Sequence, residues 1–275
     1  MEPGQPSRTA FGAAAHRAAH QVLDRACIFS DPLAIPILGV DAEAAIQDAR
    51  EDPTRRGLRL FLALRSRVAE DALSAALARG VRQVVVLGAG LDTWAYRTSV
   101  AEGVRVFEVD HPATQVWKRR RLAEAGIKVP SSLTYVAVDF ERDVFLERLT
   151  QGGFDRGQPT FFTWLGVVPY LSEAAIFTTL SDLAALPGGA EVVFDYGNPP
   201  APGSEEEQES LAQRVAALGE PIRTRFETDE LHARLAALRF RHLEDFGPNE
   251  LRRRYFGLQE GADSRGGHVL RASTA

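Results

Sequence analysis

The chain has a single cysteine, Cys27, in 275 residues. No disulfide framework can hold it, and that usage suits a reducing cytoplasm. No stretch approaches the roughly 18 uninterrupted apolar residues of a membrane-spanning helix. The opening residues, Met1 to Arg8 (M-E-P-G-Q-P-S-R), hold no apolar segment and do not read as a secretory signal. Basic charge is not in excess either: the formal net charge is −5, which argues against nucleic acid as a partner. There is no G-x-S-x-G elbow, no P-loop and no C-x-x-C pair, so hydrolase, phosphoryl-transfer and zinc chemistry find no support. Hydrophobic content of 45% and charged content of 25% are those of an ordinary globular enzyme. The expectation is a cytoplasmic enzyme with a small-molecule substrate, no metal, and no membrane partner. No feature of the sequence fixes an oligomeric state.

What is present begins at Val84. Residues 84–93 read V-V-V-L-G-A-G-L-D-T, an apolar strand breaking into a glycine turn, and Asp110 follows twenty residues after Gly90. A strand, a glycine turn and a downstream acid are the pattern of a nucleoside laid across the carboxyl edge of a parallel sheet. Asp110 closes a second apolar strand, where its carboxylate can accept both ribose hydroxyls. Glu108 is the competing acid, but strand alternation sends it the opposite way from Val109 and leaves Asp110 at the tip. The third glycine of G-x-G-x-x-G is missing, with Thr93 in its place. That glycine serves helix–strand packing beside a pyrophosphate, so its absence favours S-adenosylmethionine over NAD.

Periodicity predicts helices over 10–26, 55–79, 93–100, 112–125, 142–150, 172–186 and 228–238, with a short helix after Asp31 and Pro32. Strands are predicted at 82–87, 104–109, 133–138, 159–164, 190–195 and 267–272. Strands alternating with helices indicate an α/β fold around a parallel sheet. The division expected is a helical cap over residues 1–80 and a core over 81–275. The Pro/Gly-rich, acidic stretch within about 197–227 reads as a surface loop or lid edge.

Each candidate site residue has a plainer alternative. Asp139 ends the third strand, where it can take the exocyclic amine of adenine with Phe140 against the base; it can equally cap a helix over 140–149. Asp195 and Tyr196 end the fifth strand, facing the substrate or capping a turn. His16 and His20 stand one helical turn apart. They read as a metal pair, as polar helix-face residues, or as a source of a general base. The basic runs 118–121 and 252–254 read as solvated helix faces.

The quoted motifs resemble the leucine carboxyl methyltransferase family, especially its bacterial S-adenosylmethionine-dependent O-methyltransferase branch, which includes tetracenomycin-type polyketide enzymes. The likeness runs through A-A-H-R-A at 14–18, F-S-D-P-L-A at 29–34 and L-A-L-R-S-R at 62–67. It continues through V-L-G-A-G-L-D-T at 86–93, F-E-V-D-H-P at 107–112, Val138 to Phe140, W-L-G-V-V-P-Y-L at 164–171 and R-R-Y-F at 253–256. It implies a class I methyltransferase fold: seven strands, mostly parallel, the last antiparallel, under an N-terminal helical cap. It also implies that Arg65 clamps the methionine carboxylate and that Gly88, Ala89 and Gly90 run beneath the methionine portion. Asp110, with His111 beside it, would hold the ribose, and Asp139 and Phe140 the adenine. Leu165 stands where the family often carries an acid, and Trp94 where an Arg commonly follows Leu-Asp-Thr; an indole there would suit a flat, apolar acceptor. Trp94, Tyr170 and Tyr196 are the substrate-side candidates, and His16, His20 and Tyr196 the candidate bases.

The activity expected is O-methylation of a small-molecule carboxylate or phenol, polyketide-like. A protein C-terminal carboxylate is an alternative acceptor. An NAD-dependent oxidoreductase and a cofactor-binding protein without methyl transfer are the alternatives of other classes.

Overall fold

The computed structural model describes residues 7–98, 103–140, 142–200, 221–258 and 265–274. Most of the expected lid stretch, residues 201–220, lies outside them. Seven strands form one sheet: β1 (Gln83–Leu87), β2 (Arg105–Asp110), β3 (Leu133–Ala137), β4 (Thr160–Trp164), β5 (Ala190–Gly197), β6 (His242–Phe246) and β7 (Gly267–Ser273). Their spatial order is β3-β2-β1-β4-β5-β7-β6. The first five pair in parallel, and β7 runs antiparallel to both β5 and β6. This is the class I methyltransferase sheet. The chain reverses direction beside β1, between β2 and β4, which is where an open α/β sheet leaves a crevice at its carboxyl edge.

Among the described residues the helices are α1 (Arg8–Leu23), α2 (Ala42–Glu51), α3 (Arg56–Ala78), the single turn α4 (Trp94–Arg97), α5 (Pro112–Glu124), α6 (Phe145–Gln151), α7 (Glu173–Ala184), α8 (Thr228–Ala237) and α9 (Pro248–Phe256). Their starts follow local chemistry. Ser7 accepts the Ala10 N–H at 3.0 Å and Ser172 the Ala175 N–H at 3.3 Å, each satisfying an orphan donor of the first turn. Pro112 begins α5, where its missing N–H costs nothing.

Central strands bury both faces, so they read as continuous apolar runs rather than alternating ones. On one face Val85, Leu87, Phe107, Phe162, Trp164, Val192 and Phe194 meet side chains of α6, α7 and α8. On the other, Val84, Val106, Phe161, Val193 and Val269 meet α3 through Ala63, Leu64, Val68 and Leu73. Thus α3 lies in the sheet's own core. Helices α1 and α2 and the Pro36–Asp41 turn build a separate cluster of Ala14, Ala18, Ile37 and Leu38 with Leu91 and Leu122.

Several boundaries differ from expectation. Helix α1 stops at Leu23, because Arg25 and Ala26 take left-handed φ values of 54° and 50°. Helix α6 starts at Phe145, three residues late. The basic run at 252–254 does lie on a helix, α9, and the short helix expected after Pro32 is the Pro36–Asp41 turn continued by α2; strand β6 was not anticipated as a separate element. The seventh strand was implied only by the family resemblance, since β6 alternates exposed and half-buried residues at the sheet edge. Among the described residues, no helix is long and apolar enough to cross a membrane.

Phe162 is fully buried between β4's neighbours, with Phe154 at 6.3 Å. Phe162→Ala is therefore expected to cost about 3–5 kcal/mol, read as a lower urea midpoint at unchanged slope. A loss near 1 kcal/mol would mean that this face of the sheet collapses around the cavity.

Candidate functional site

After Leu87 the chain turns through Gly88 and Gly90, whose φ angles are +64° and +46°. Both lie in the left-handed region that favours glycine. The turn is covered from outside: a Cβ on Gly88 would overlap Val167 Cγ2, and one on Gly90 would come 2.9 Å from Ala10 Cβ. Gly88 N and Ala89 N donate to Val109 O at 2.7 and 3.1 Å, which ties the turn to β2. Asp110 completes the tie. Its Oδ2 accepts the Gly90 N–H at 2.5 Å and its Oδ1 the His111 N–H at 2.6 Å. Burial pushes this carboxyl above the ordinary range, while the two N–H bonds and the Lys118 charge pull it back. Each oxygen keeps lone-pair capacity for a further donor. His111 caps α5, its Nδ1 3.3 Å from Ala113 N.

Glu108 lies two residues before Asp110 on the same side of β2, and what it meets there overturns one expectation. Lys118, read as part of a solvated run, is 1% exposed, with its Nζ 2.8 Å from Glu108 Oε2. The Tyr96 hydroxyl donates to the same oxygen at 2.9 Å. Arg121 is likewise engaged, with Asp41 and with Leu38 O. A buried acid draws a cation inside whatever the neighbouring charges suggest.

Asp139 stands just past β3. Because α6 starts at Phe145 with Val144 at its cap position, Asp139 is not that helix's cap. Its carboxylate is 33% exposed and 3.8 Å from Arg142 Nε. Phe140 lies 6.3 Å, ring to ring, from both Phe145 and Trp164. The Trp164 indole N–H is buried with no hydrogen-bond partner among the described residues. An orphaned buried donor costs about 1–3 kcal/mol. Sequence reading gave Trp164 no role, and only this packing reveals it.

Arg65, on α3, pairs through Nη1 with Asp195 Oδ2 at 2.9 Å, and Asp195 Oδ1 accepts the Gly166 N–H at 2.5 Å. Leu165 lines a cavity of about 20 Å³ with Ala69, Glu70, Leu73, Asp92 and Trp94, room for about one water. Burial lifts the Glu70 carboxyl to about 7, although Arg97 pairs with it. Trp94 is 6% exposed beneath α3, so it does not offer an open indole to an acceptor as expected. Tyr170 ends the Val168–Tyr170 turn half-buried, where Arg223 N and Thr224 N donate to Pro169 O at 2.7 and 3.2 Å.

Residues 10–184 match the family described as leucine carboxyl methyltransferase. The chain belongs to that family. Over 140 residues it is 34% identical to a Bacillus subtilis (strain 168) protein named "Putative S-adenosyl-L-methionine-dependent methyltransferase YktD". That match takes in 50% of this chain and 46% of YktD, so it spans about half the length of the relative. Among solved structures, one from Thermobifida fusca YX is 17% identical, covering 100% of this chain and 97% of the other, with a TM-score of 0.60. Magnesium protoporphyrin IX methyltransferase (ChlM) from Synechocystis PCC 6803, solved with SAH, is 11% identical, covering 96% and 100%, with a TM-score of 0.50. At these identities the structures establish the fold alone.

In this leucine carboxyl methyltransferase family member, two of the three candidate bases are spent on structure. His20 is fully buried, its Nδ1 3.1 Å from Asp24 Oδ2, and the same carboxylate oxygen holds Arg59 at 2.6 Å. Tyr196 is 2% exposed, and its hydroxyl donates to Asp245 Oδ2 at 2.6 Å while its ring stacks on His268 at 4.7 Å. Burial and Asp245 both raise that phenol. Alternation on β5 sends Asp195 toward Arg65 and Tyr196 to the opposite face. Asp245 also lies 2.7 Å from His232 Nε2 and 2.8 Å from His268 Nδ1. Sequence reading missed this cluster because its members come from β5, α8, β6 and β7. His16 remains near the site, its pKa lowered to about 4 by burial and then by Arg55, Arg59 and Arg65.

Two outcomes follow. Gly88→Ala should cost more than the roughly 1–2 kcal/mol of left-handed strain, and Val167→Ala in the same chain should return the excess. Urea unfolding of single and double variants measures that coupling; simple additivity would mean the overlap is relieved elsewhere. Second, the unfolded chain binds a proton at His16 that the folded chain does not between about pH 4 and 6.5. Stability should rise with pH across that window, and His16→Asn should flatten the rise. An unchanged slope would contradict the burial of a neutral imidazole there.

Proposed function

We propose that the chain is an S-adenosylmethionine-dependent O-methyltransferase that esterifies a carboxylate on a small-molecule acceptor. The observation that carries this reading is the donor set along one sheet edge. A turn clasped by Asp110, a carboxylate beside an aromatic wall with an orphaned indole N–H, and an Arg–Asp pair together suit a nucleoside with an amino-acid tail. Asp110 takes the ribose hydroxyls. Asp139 takes the adenine amine, with Phe140 against the base. Arg65 takes the methionine carboxylate, and the backbone of Gly88, Ala89 and Gly90 runs beneath that portion, with His111 beside the ribose. Thr93, where a pyrophosphate-binding turn has its third glycine, donates to Asp31 Oδ2 at 2.7 Å; a carboxylate there is ill suited to phosphate. Family membership and the name of YktD support the same cofactor.

Bound there, the cofactor supplies a methyl group on a cationic sulfur, open to in-line displacement. The chain's own task is to hold an acceptor oxygen about 3–3.5 Å from that methyl and to exclude water. A carboxylic acid, with a pKa near about 4, arrives ionised, whereas a phenol near about 10 must lose a proton to a base. His16, lowered to about 4, is a poor base for a phenol. His20 and Tyr196 are committed elsewhere. The site is therefore fitted to an acceptor that needs no base. Trp94 lies buried and lends no surface to a flat ring, so the polyketide-like character of the acceptor rests on the family resemblance. The first eighty residues, through α1 and α2, are proposed to cover the acceptor side, and the protein is proposed to work in the cytoplasm.

Transfer of labelled methyl groups to an acceptor panel tests this reading. A mild-alkali-labile product, and a rate flat from about pH 6 to 9, are expected for carboxylate acceptors. An alkali-stable product whose rate climbs toward pH 10 would replace ester formation with ether formation. A labelled protein C-terminus in place of a small product would move the acceptor to a polypeptide.

A further inference from the structure

Arg65 and Asp195 approach from α3 and from the tip of β5, with side chains only 11% and 5% exposed. A buried pair that serves stability alone is best made bidentate, because both ions must be compensated for lost water. This pair is not. One guanidinium nitrogen reaches one carboxylate oxygen, and the second oxygen is turned to the Gly166 N–H. Arg65 thus keeps donors, and Asp195 keeps acceptor capacity, that no other group among the described residues takes up.

The surrounding backbone is shaped to bring the pair to the sheet edge. Gly166 has φ +71°, and a Cβ there would come 2.7 Å from Arg65 Nη2. On β4 and β5, Thr163 pairs with Val193 and Trp164 with Phe194. The next position in step sets Leu165 beside Asp195, both on the face covered by α3. The apolar residue at the β4 tip and the acid at the β5 tip are therefore neighbours on one face.

The inference rests on the cofactor reading above and deepens it. The proposed cofactor ends in an α-amino acid, with an ammonium and a carboxylate on one carbon. We propose that Arg65 and Asp195 form a clamp for that zwitterion, Arg65 taking the carboxylate and Asp195 the ammonium, which Leu165 cannot hold. Without ligand, each ion of the pair compensates the other. With ligand, one positive and one negative charge enter together, so no buried charge is left unpaired in either state.

Calorimetric titration with three probes tests the clamp: S-adenosylhomocysteine, its deaminated analogue that keeps the carboxylate, and methylthioadenosine, which carries neither charge. The wild-type chain should bind S-adenosylhomocysteine about 10- to 100-fold more tightly than the deaminated analogue. Asp195→Asn, which keeps an oxygen for the Gly166 N–H, should erase most of that preference. It should leave the other two affinities within about threefold, while the free chain melts lower because Arg65 loses its compensating charge. Arg65→Gln should weaken both carboxylate-bearing probes and spare methylthioadenosine. Equal weakening of all three probes by Asp195→Asn would make Asp195 a purely structural residue and overturn the clamp. So would a wild-type chain indifferent to the ammonium, a result that needs no variant to fold. If the wild-type chain binds none of the three, the cofactor reading itself fails and takes the clamp with it.

Discussion

Asp110 holds the functional edge of this fold together. One buried carboxylate accepts the Gly90 N–H and the His111 N–H, so the glycine turn after β1 and the start of α5 are fixed to the tip of β2 at once. Those two backbone donors belong to a turn and a helix start, where no ladder or helical partner exists for them. A neutral side chain would satisfy them less well, and a longer acid would move the turn away from the sheet. The geometry leaves the remaining lone pairs of Asp110 at the sheet edge, where a ribose would lie. Beneath it, the Glu108–Lys118 pair fixes α5 to the same strand.

The two faces of the sheet divide the labour. On the α3 face, Arg65 pairs with Asp195, and His16 is kept neutral among arginines. On the opposite face, Tyr196, His232 and His268 converge on Asp245 and fasten β5, β6, β7 and α8 into one unit. Alternation along β5 alone decides which face a residue serves, so adjacent residues Asp195 and Tyr196 have unrelated roles. The distinction also bears on chemistry. Under the proposed function, a phenol and an imidazole committed to structure go with an acceptor that arrives already ionised.

Much of this was legible before the fold was seen. Short apolar runs placed β1 to β5 and β7 within two residues, because strands buried on both faces must be apolar throughout. The G-A-G turn and Asp110 were readable as a unit for the same reason that they work as one. What escaped was non-local. Nothing near Lys118 announces that Glu108 will bury it, and nothing near His20 announces Asp24 and Arg59 together. Strand β6 hid because an edge strand with alternating exposed residues lacks the apolar run that marks its neighbours. Trp164 hid for a different reason: a missing partner is visible only once every neighbour is in place.

The most direct measurement is a thermal-shift comparison of S-adenosylhomocysteine with NAD on the purified chain. At about 100 times its dissociation constant a true ligand adds roughly 2.7 kcal/mol to stability. For a chain of this size that corresponds to a rise of the order of 5–10 °C. Such a rise with S-adenosylhomocysteine and none with NAD is expected if the Asp110 edge holds a nucleoside without a pyrophosphate. A rise with NAD alone would contradict that assignment of the edge.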